Sequence, residues 1–262
     1  MQNPSVSILT ITQQSRFESM KILYEIIKRQ TYNNIKEWII VEGSPQSENA
    51  MENKIQLESF FQENTLSYSI KYIDYSGKKL GGLRNIGNDN CSGDIIICFD
   101  DDDYSPPERI SHSVEKLLES EYLIGGVSDV YMYDFYFNQL FRFKYKIPNH
   151  STNNCMAYKK EYLIENRYDD NCSCGEEKQF TKNFTNPMVA FDSAKTLVAI
   201  SHNNNTYDKR DLCIDAVSKK INYIKKIHKN INHFIPIEIF QRMKFIYKPL
   251  GNSREQCVYN SI

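Results

Sequence analysis

Four consecutive carboxylates, Asp100, Asp101, Asp102 and Asp103, follow an apolar run at 95–99 and precede Tyr104 and the pair Pro106 and Pro107. Like charges this close repel unless positive charge sits among them. In an extended chain alternate residues point the same way. Asp100 and Asp102 are therefore expected on one side, with Asp101 and Asp103 facing elsewhere. Two converging carboxylates suit a hard divalent cation, Mg2+ or Mn2+, completed by water and phosphate oxygens. The plain alternative is a solvated acidic loop in which an Asp caps the next helix. A second acidic pair, Glu176 and Glu177, stands in "CGEEKQF". Acids there suit the first turn of a helix, where the macrodipole favours negative charge. Cys172 and Cys174 form a lone Cys-x-Cys, short of the four ligands a zinc site takes.

The elements that must hold these residues alternate through the first half of the chain. Apolar, β-branched runs at 6–12, 38–41, 68–73 and 95–99 predict strands. Helical spacing of apolar residues predicts helices over 17–30, 48–64, the "LGGLRNIGN" segment and the stretch after the Pro pair. Continuous apolar strands between amphipathic helices predict an α/β fold with a mostly parallel sheet and helices on both faces. Ligands in such folds collect at the carboxyl ends of the strands, where the Asp run falls. The aromatic-rich "SDVYMYDFYFNQLFRFKYKI" predicts an antiparallel hairpin turning at Asn138, and 195–201 predicts a further strand ending at His202.

From Asp211 onward, Ile214, Val217, Ile221, Ile224, Ile227 and Ile231 recur every three or four residues, and lysines occupy the other face. This predicts a basic amphipathic helix in a C-terminal helical extension, 211–262, after a main domain over 1–210. Such a helix packs on the domain with its lysines in solvent, or docks on an anionic membrane surface. The 262 residues carry a formal charge of -1, so no global basic field points to nucleic acid. Seven irregularly spaced Cys read as reduced thiols, and the N-terminus lacks a secretory pattern. The expected location is the cytoplasm, with the packed helix the favoured reading and peripheral membrane contact through its basic face the alternative.

The segments "VSILTIT", "RQTYNNIKEWIIVEGS", "GGLRNIGNDNCSGDIIICFDDDDYSPPERI" and "CGEEKQF" occur in an order that resembles family 2-like, inverting glycosyltransferases of the GT-A fold. The resemblance spans roughly residues 5 to 210 and implies a nucleotide-sugar donor, a divalent metal and a hydroxyl acceptor. It implies that Thr10 to Thr12 cradle the base, although the family's usual Pro-Thr-Tyr-Asn is replaced by Ile11, Thr12, Gln13 and Gln14. Glu42 stands where the family often has an Asp contacting uracil. Arg84 and Asn85, with Gly87, match the Arg-Asn-x-Gly element beside the nucleotide. Asp100 and Asp102 match the Asp-x-Asp motif that binds ribose and the metal-diphosphate, Asp102 being the direct ligand. Asp101 between them is counted with the nucleotide site, and Asp103 matches a further family acid. His202 resembles the late His that completes the metal shell. The second acid of "CGEEKQF", Glu177, matches the catalytic base, with Glu176 as the alternative.

The resemblance thus predicts transfer of a sugar, from UDP in the first instance and otherwise GDP, CDP or dTDP, to a glycan, lipid-linked or protein hydroxyl. The aromatic hairpin and residues 153–158 are expected on the acceptor side. Two other readings compete. A nucleotidyltransferase would place acids and a metal similarly without needing Glu177, and a non-catalytic sugar-binding module would keep the fold without turnover.

Overall fold

The computed structural model describes residues 3–13, 16–44, 50–75, 77–144, 147–203, 205, 209–218 and 221–247. β1 (Val6–Thr12), β2 (Ile35–Glu42), β3 (Ser69–Asp74) and β4 (Ile95–Cys98) lie parallel, in the order β3-β2-β1-β4. The helices α1 (Phe17–Lys28), α2 (Ala50–Glu63) and α3 (Leu80–Asn90) connect them. The sheet continues beyond β4 through β8 (Ala157–Lys159), β5 (Ile124–Gly126) and β9 (Val189–Ala190), with β8 antiparallel to both neighbours.

Successive residues of the central strands feed two cores. Ile8, Trp38, Ile40 and Ile97 pack with Met20, Leu23 and Ile27 of α1. Leu9, Ile39, Val41 and Cys98 pack on the other face with Leu83 of α3 and Phe180. This two-sided burial is why the strands read as unbroken apolar runs, and burying each such side chain contributes roughly 1.5–3 kcal/mol. The predicted α/β architecture with helices on both faces is what the chain adopts. The helix after the Pro pair, α4 (Arg109–Leu118), buries Ile110, Val114 and Leu117.

A second sheet has the order β10-β6-β7-β11, formed by β6 (Asp129–Asp134), β7 (Gln139–Lys144), β10 (Val198–Ser201) and β11 (Ile224–Ile227). β6 and β7 are the expected hairpin, and Asn138 takes the positive φ of 49° that its turn requires.

The predicted basic helix is not continuous. α6 (Arg210–Val217) stops at Ser218, whose hydroxyl bonds back to the Ile214 carbonyl. Ile224 to Ile227 then form β11, an edge strand antiparallel to β7. β-branched Ile fits a pleated edge as readily as a helix, and Ile224 is buried there while Lys225 and Lys226 face solvent. Lysines on an edge strand discourage pairing with other chains. The last described helix, α7 (Ile237–Tyr247), buries Ile239 and Met243 and packs against α1. Among the described residues no helix is long and apolar enough to cross a membrane.

Candidate active site

The chain does not stay extended past β4. It turns through residues 101–103, and Tyr104 then makes an isolated antiparallel bridge to Val198 of β10. Asp103 locks that junction: Oδ1 accepts from Ile200 N–H at 2.7 Å, and Oδ2 accepts from Asn154 Nδ2 at 2.5 Å. The turn puts all four carboxylates on the wall of one cavity of about 500 Å³. The expected split between even and odd positions is therefore replaced by a cluster. Nor is the run a solvated loop: Asp101, Asp102 and Asp103 are all below 10% exposed, and α4 has no side-chain cap.

The counter-charge that the run demands comes from Arg16, just ahead of α1. Its Nη1 donates to Asp101 Oδ1 at 2.7 Å and also to Asp102. Thr12, at the end of β1, donates to the other oxygen of Asp101 at 2.7 Å. Asp102 Oδ2 further meets His202 Nε2 at 3.2 Å and Asn205 Nδ2 at 3.0 Å. Burial pushes Asp102 up, yet its bond from His202 and the charges of Arg16 and Lys209 outweigh this and hold it well below the usual carboxylate range. Asp101 and Asp103 go the other way. Burial and neighbouring carboxylates push them up to about 7 and about 8, against Arg16 and Thr12 at the one and Lys209 at the other.

The cavity also holds the second acidic pair. Phe180 stacks on Tyr168 with ring centroids 4.0 Å apart and anchors the short helix α5 (Glu177–Phe180) in the core. Its carbonyl accepts from Tyr162 Oη at 2.8 Å. Glu176, just before α5, accepts from Arg84 Nε at 2.6 Å, and Arg84 Nη2 lies 3.7 Å from Asp100. Glu177 Oε2 is buried with no hydrogen-bond partner. Burial and the adjacent Glu176 push its carboxyl up to about 7. The expected helix start at "CGEEKQF" is thus present, and its two acids stand in different environments.

Several expected site residues do not reach the cavity wall, among them His202, whose buried side chain stands behind Asp102. Thr10 is fully buried and accepts from Trp38 Nε1 at 3.0 Å, pinning β1 to β2. Glu42 is engaged by Ser44 and, at 3.0 Å, by Tyr72 Oη. Asn85 bonds Tyr168 N–H at 3.0 Å, Tyr168 O at 2.9 Å and Asp170 Oδ1 at 2.7 Å, so it clamps the loop leading to Glu176. That loop sits so close to α3 that a Cβ on Gly81 would lie 1.9 Å from Asp169 O. The hairpin aromatics also turn away: Tyr131 packs on Phe234 and Tyr133 on Phe240. Thr152, Asn153 and Asn154 do line the cavity. Asp100 stands with Arg84 rather than with His202. Arg16, Asn205 and Lys209 were not singled out from the sequence, where each is an ordinary polar residue beyond a strand end or within a loop.

The family model for Glycosyl transferase family 2 matches residues 7–168, well over half of the chain. The chain belongs to that family. Among solved structures it resembles TarS 1-349 from S. aureus at 14% identity and a TM-score of 0.54, covering 75% of this chain and 60% of that one. The same protein in complex with UDP-GlcNAc aligns over 93% of this chain and 74% of that one, at 14% identity and a TM-score of 0.57. The mannosyltransferase PcManGT from Pyrobaculum calidifontis, solved with GDP-Man and Mn2+, has 11% identity, a TM-score of 0.58, and coverage of 78% and 59%. The chain thus spans about 60% of the length of the first of these relatives. These likenesses establish the GT-A fold. No curated protein matches the chain significantly.

Proposed function

We propose that the chain is a divalent-metal-dependent, inverting glycosyltransferase that moves a sugar from a nucleotide donor, UDP-linked in the first instance, to a hydroxyl of a glycan, lipid-linked or protein acceptor. The observation that carries this reading is that one cavity combines the carboxylate cluster with Glu177, whose Oε2 is buried and unpartnered.

The donor set fits Mn2+ or Mg2+. Among the described residues, six carboxyl side chains line the cavity against the cations Arg16, Arg84 and Lys209. An anionic diphosphate entering such a wall needs added positive charge. Asp102 Oδ2 and His202 Nε2 are 3.2 Å apart, close to the ~3 Å between adjacent ligands of an octahedral ion bound at about 2.1 Å. No three His, Cys, Asp or Glu side chains converge as ligands among the described residues, so phosphate and water oxygens would supply the rest, as is usual for Mg2+. Arg16 already holds Asp102 Oδ2 and would have to yield or share that oxygen with the ion. When bound, the metal stabilises the charge that develops on the departing diphosphate.

The chain's own residues do the remainder. Glu177 takes the proton from the acceptor hydroxyl, a role its raised pKa suits near neutral pH. The hydroxyl oxygen then attacks the anomeric carbon from the face opposite the diphosphate, inverting its configuration. Arg84 pairs with Glu176 and lies 3.7 Å from Asp100, so its single charge offsets part of the repulsion those two carboxylates exert on Glu177. TarS solved with UDP and with UDP-GlcNAc supports a UDP donor, and PcManGT solved with GDP-Man and Mn2+ supports the metal.

A thermal-shift panel of UDP, GDP, CDP and dTDP with and without Mn2+ tests this. A nucleotide at about 100 times its dissociation constant adds about 2.7 kcal/mol to stability. The expected result is a Mn2+-dependent shift with one nucleotide. Equal melting in every condition contradicts the reading.

A further inference from the structure

The His202 imidazole is held at its edge by Asn205 Nδ2, 3.1 Å from Nε2, and on its face by a ring more than forty residues further along the chain. It lies parallel to the Tyr247 ring, with centroids 4.0 Å apart and planes 12° from each other. Tyr247 ends the described part of α7, and its hydroxyl donates to Ser19 Oγ on α1 at 2.7 Å. The ring is thereby fixed at its far end, and Phe135 lies against it with ring centroids 6.0 Å apart. An imidazole pressed on a fixed aromatic face cannot swing about its own ring bond. Its Nε2 stays aimed at Asp102 Oδ2, the pair whose spacing suits an octahedral ion. Ile239, Met243 and Tyr247 recur every four residues and together form the buried face of α7. Tyr247 therefore both docks α7 and stacks on His202, and only an effect that vanishes without the imidazole belongs to the second role.

We propose that Tyr247 is a positioning residue that holds His202 ready for the divalent cation, so that α7, far beyond the family-matched residues 7–168, completes the site. This rests on the metal-dependent reading above. Stacking restricts the imidazole before the ion arrives, which lowers the ordering cost of binding. Partners that orient a metal-binding His typically change metal affinity 10- to 100-fold when removed.

The test is a titration of the full chain with Mn2+, alone and with UDP or GDP, reading free Mn2+ by electron paramagnetic resonance. Tyr247→Phe keeps the stacked face and is expected to bind within about twofold of wild type. Tyr247→Leu is expected to bind 10- to 100-fold more weakly. In a His202→Ala background the same Leu substitution should cost nothing further, because it acts through the imidazole. Tyr247→Met, flexible and of comparable length, takes the place of Leu if that variant does not fold. Unchanged affinity in the non-aromatic variants, or a loss that adds in full to that of His202→Ala, overturns the role of Tyr247 alone. A wild-type chain that takes up no Mn2+ in any of these conditions overturns the metal reading and this role together.

Discussion

Arg84 holds Glu176 through a 2.6 Å bond inside the protein, and this separates the two acids of the pair. One is spoken for, while Glu177 keeps a buried oxygen without a partner. Glu177→Gln should retain donor binding and lose about 10²- to 10⁴-fold in kcat, the usual range for a general base. Glu176→Gln should instead lower stability, since removing one partner of a buried pair costs about 3–5 kcal/mol. Steady-state kinetics and thermal melting on both variants distinguish the roles. Turnover unchanged in Glu177→Gln would remove it from the mechanism.

The pH profile follows from the same carboxyl. Glu177 must be ionised to accept a proton, and burial raises it to about 7. Activity should therefore rise with pH through about 7 and level off above it. The sign for stability is opposite. Between the ordinary 4.5 and about 7 the folded chain keeps a proton that the unfolded chain has released. That contribution to stability is present below 4.5 and is lost as pH rises through this window. Melting temperatures of wild type and Glu177→Gln across pH 4 to 8 should differ by a slope of this sign. A flat difference would contradict it.

Arg16 is the cation that two buried carboxylates share. Arg16→Ala should lower the metal-free stability by up to about 3–5 kcal/mol, because two buried carboxylates lose the cation they share and keep only Thr12 at the one and His202 and Asn205 at the other. Mn2+ should then raise the melting temperature of the variant more than that of wild type. Equal Mn2+ shifts in the two proteins would show that Arg16 and the ion do not contend for Asp102.

Asn85 divides two accounts of its own position. As a clamp on the Tyr168 to Asp170 segment it holds the loop that leads to Glu176 and Glu177. Asn85→Ala should reduce kcat, by up to about 10²-fold for a displacement of about 1 Å, and leave the donor KM nearly unchanged. A raised donor KM with kcat intact would return Asn85 to the nucleotide side.

The strands and helices of the first half were legible because β1, β2 and β4 are buried on both faces and read as unbroken apolar runs. The strand-end rule also placed Asp100 to Asp103 at the site. Their side-chain directions were not legible, because the turn through 101–103 is set by the bridge from Tyr104 to Val198, some 94 residues away. Arg16 escaped notice for the same reason: its bonds to Asp101 and Asp102 span 85 and 86 positions. The tail misled through period. Ile224 and Ile227 fit a helical stripe, and only pairing with Phe143 and Leu140 of β7 decides for a strand. The resemblance puts Asn85 and Glu42 beside the nucleotide, but motif position says nothing about which way a side chain turns, and here they bond Tyr168 and Asp170, and Ser44 and Tyr72.

The bond from Tyr247 to Ser19 joins residues 228 apart in sequence, and it bears on when the enzyme comes into being. During synthesis the carboxylates and Arg16 emerge long before α7 does. Until α7 docks, His202 lacks the ring that orients it. Such long-range contacts form late and slowly in folding. A growing chain would thus carry the sheet and its carboxylates before His202 has the ring that stacks on it, and the proposed metal site would be complete only once α7 had emerged and docked.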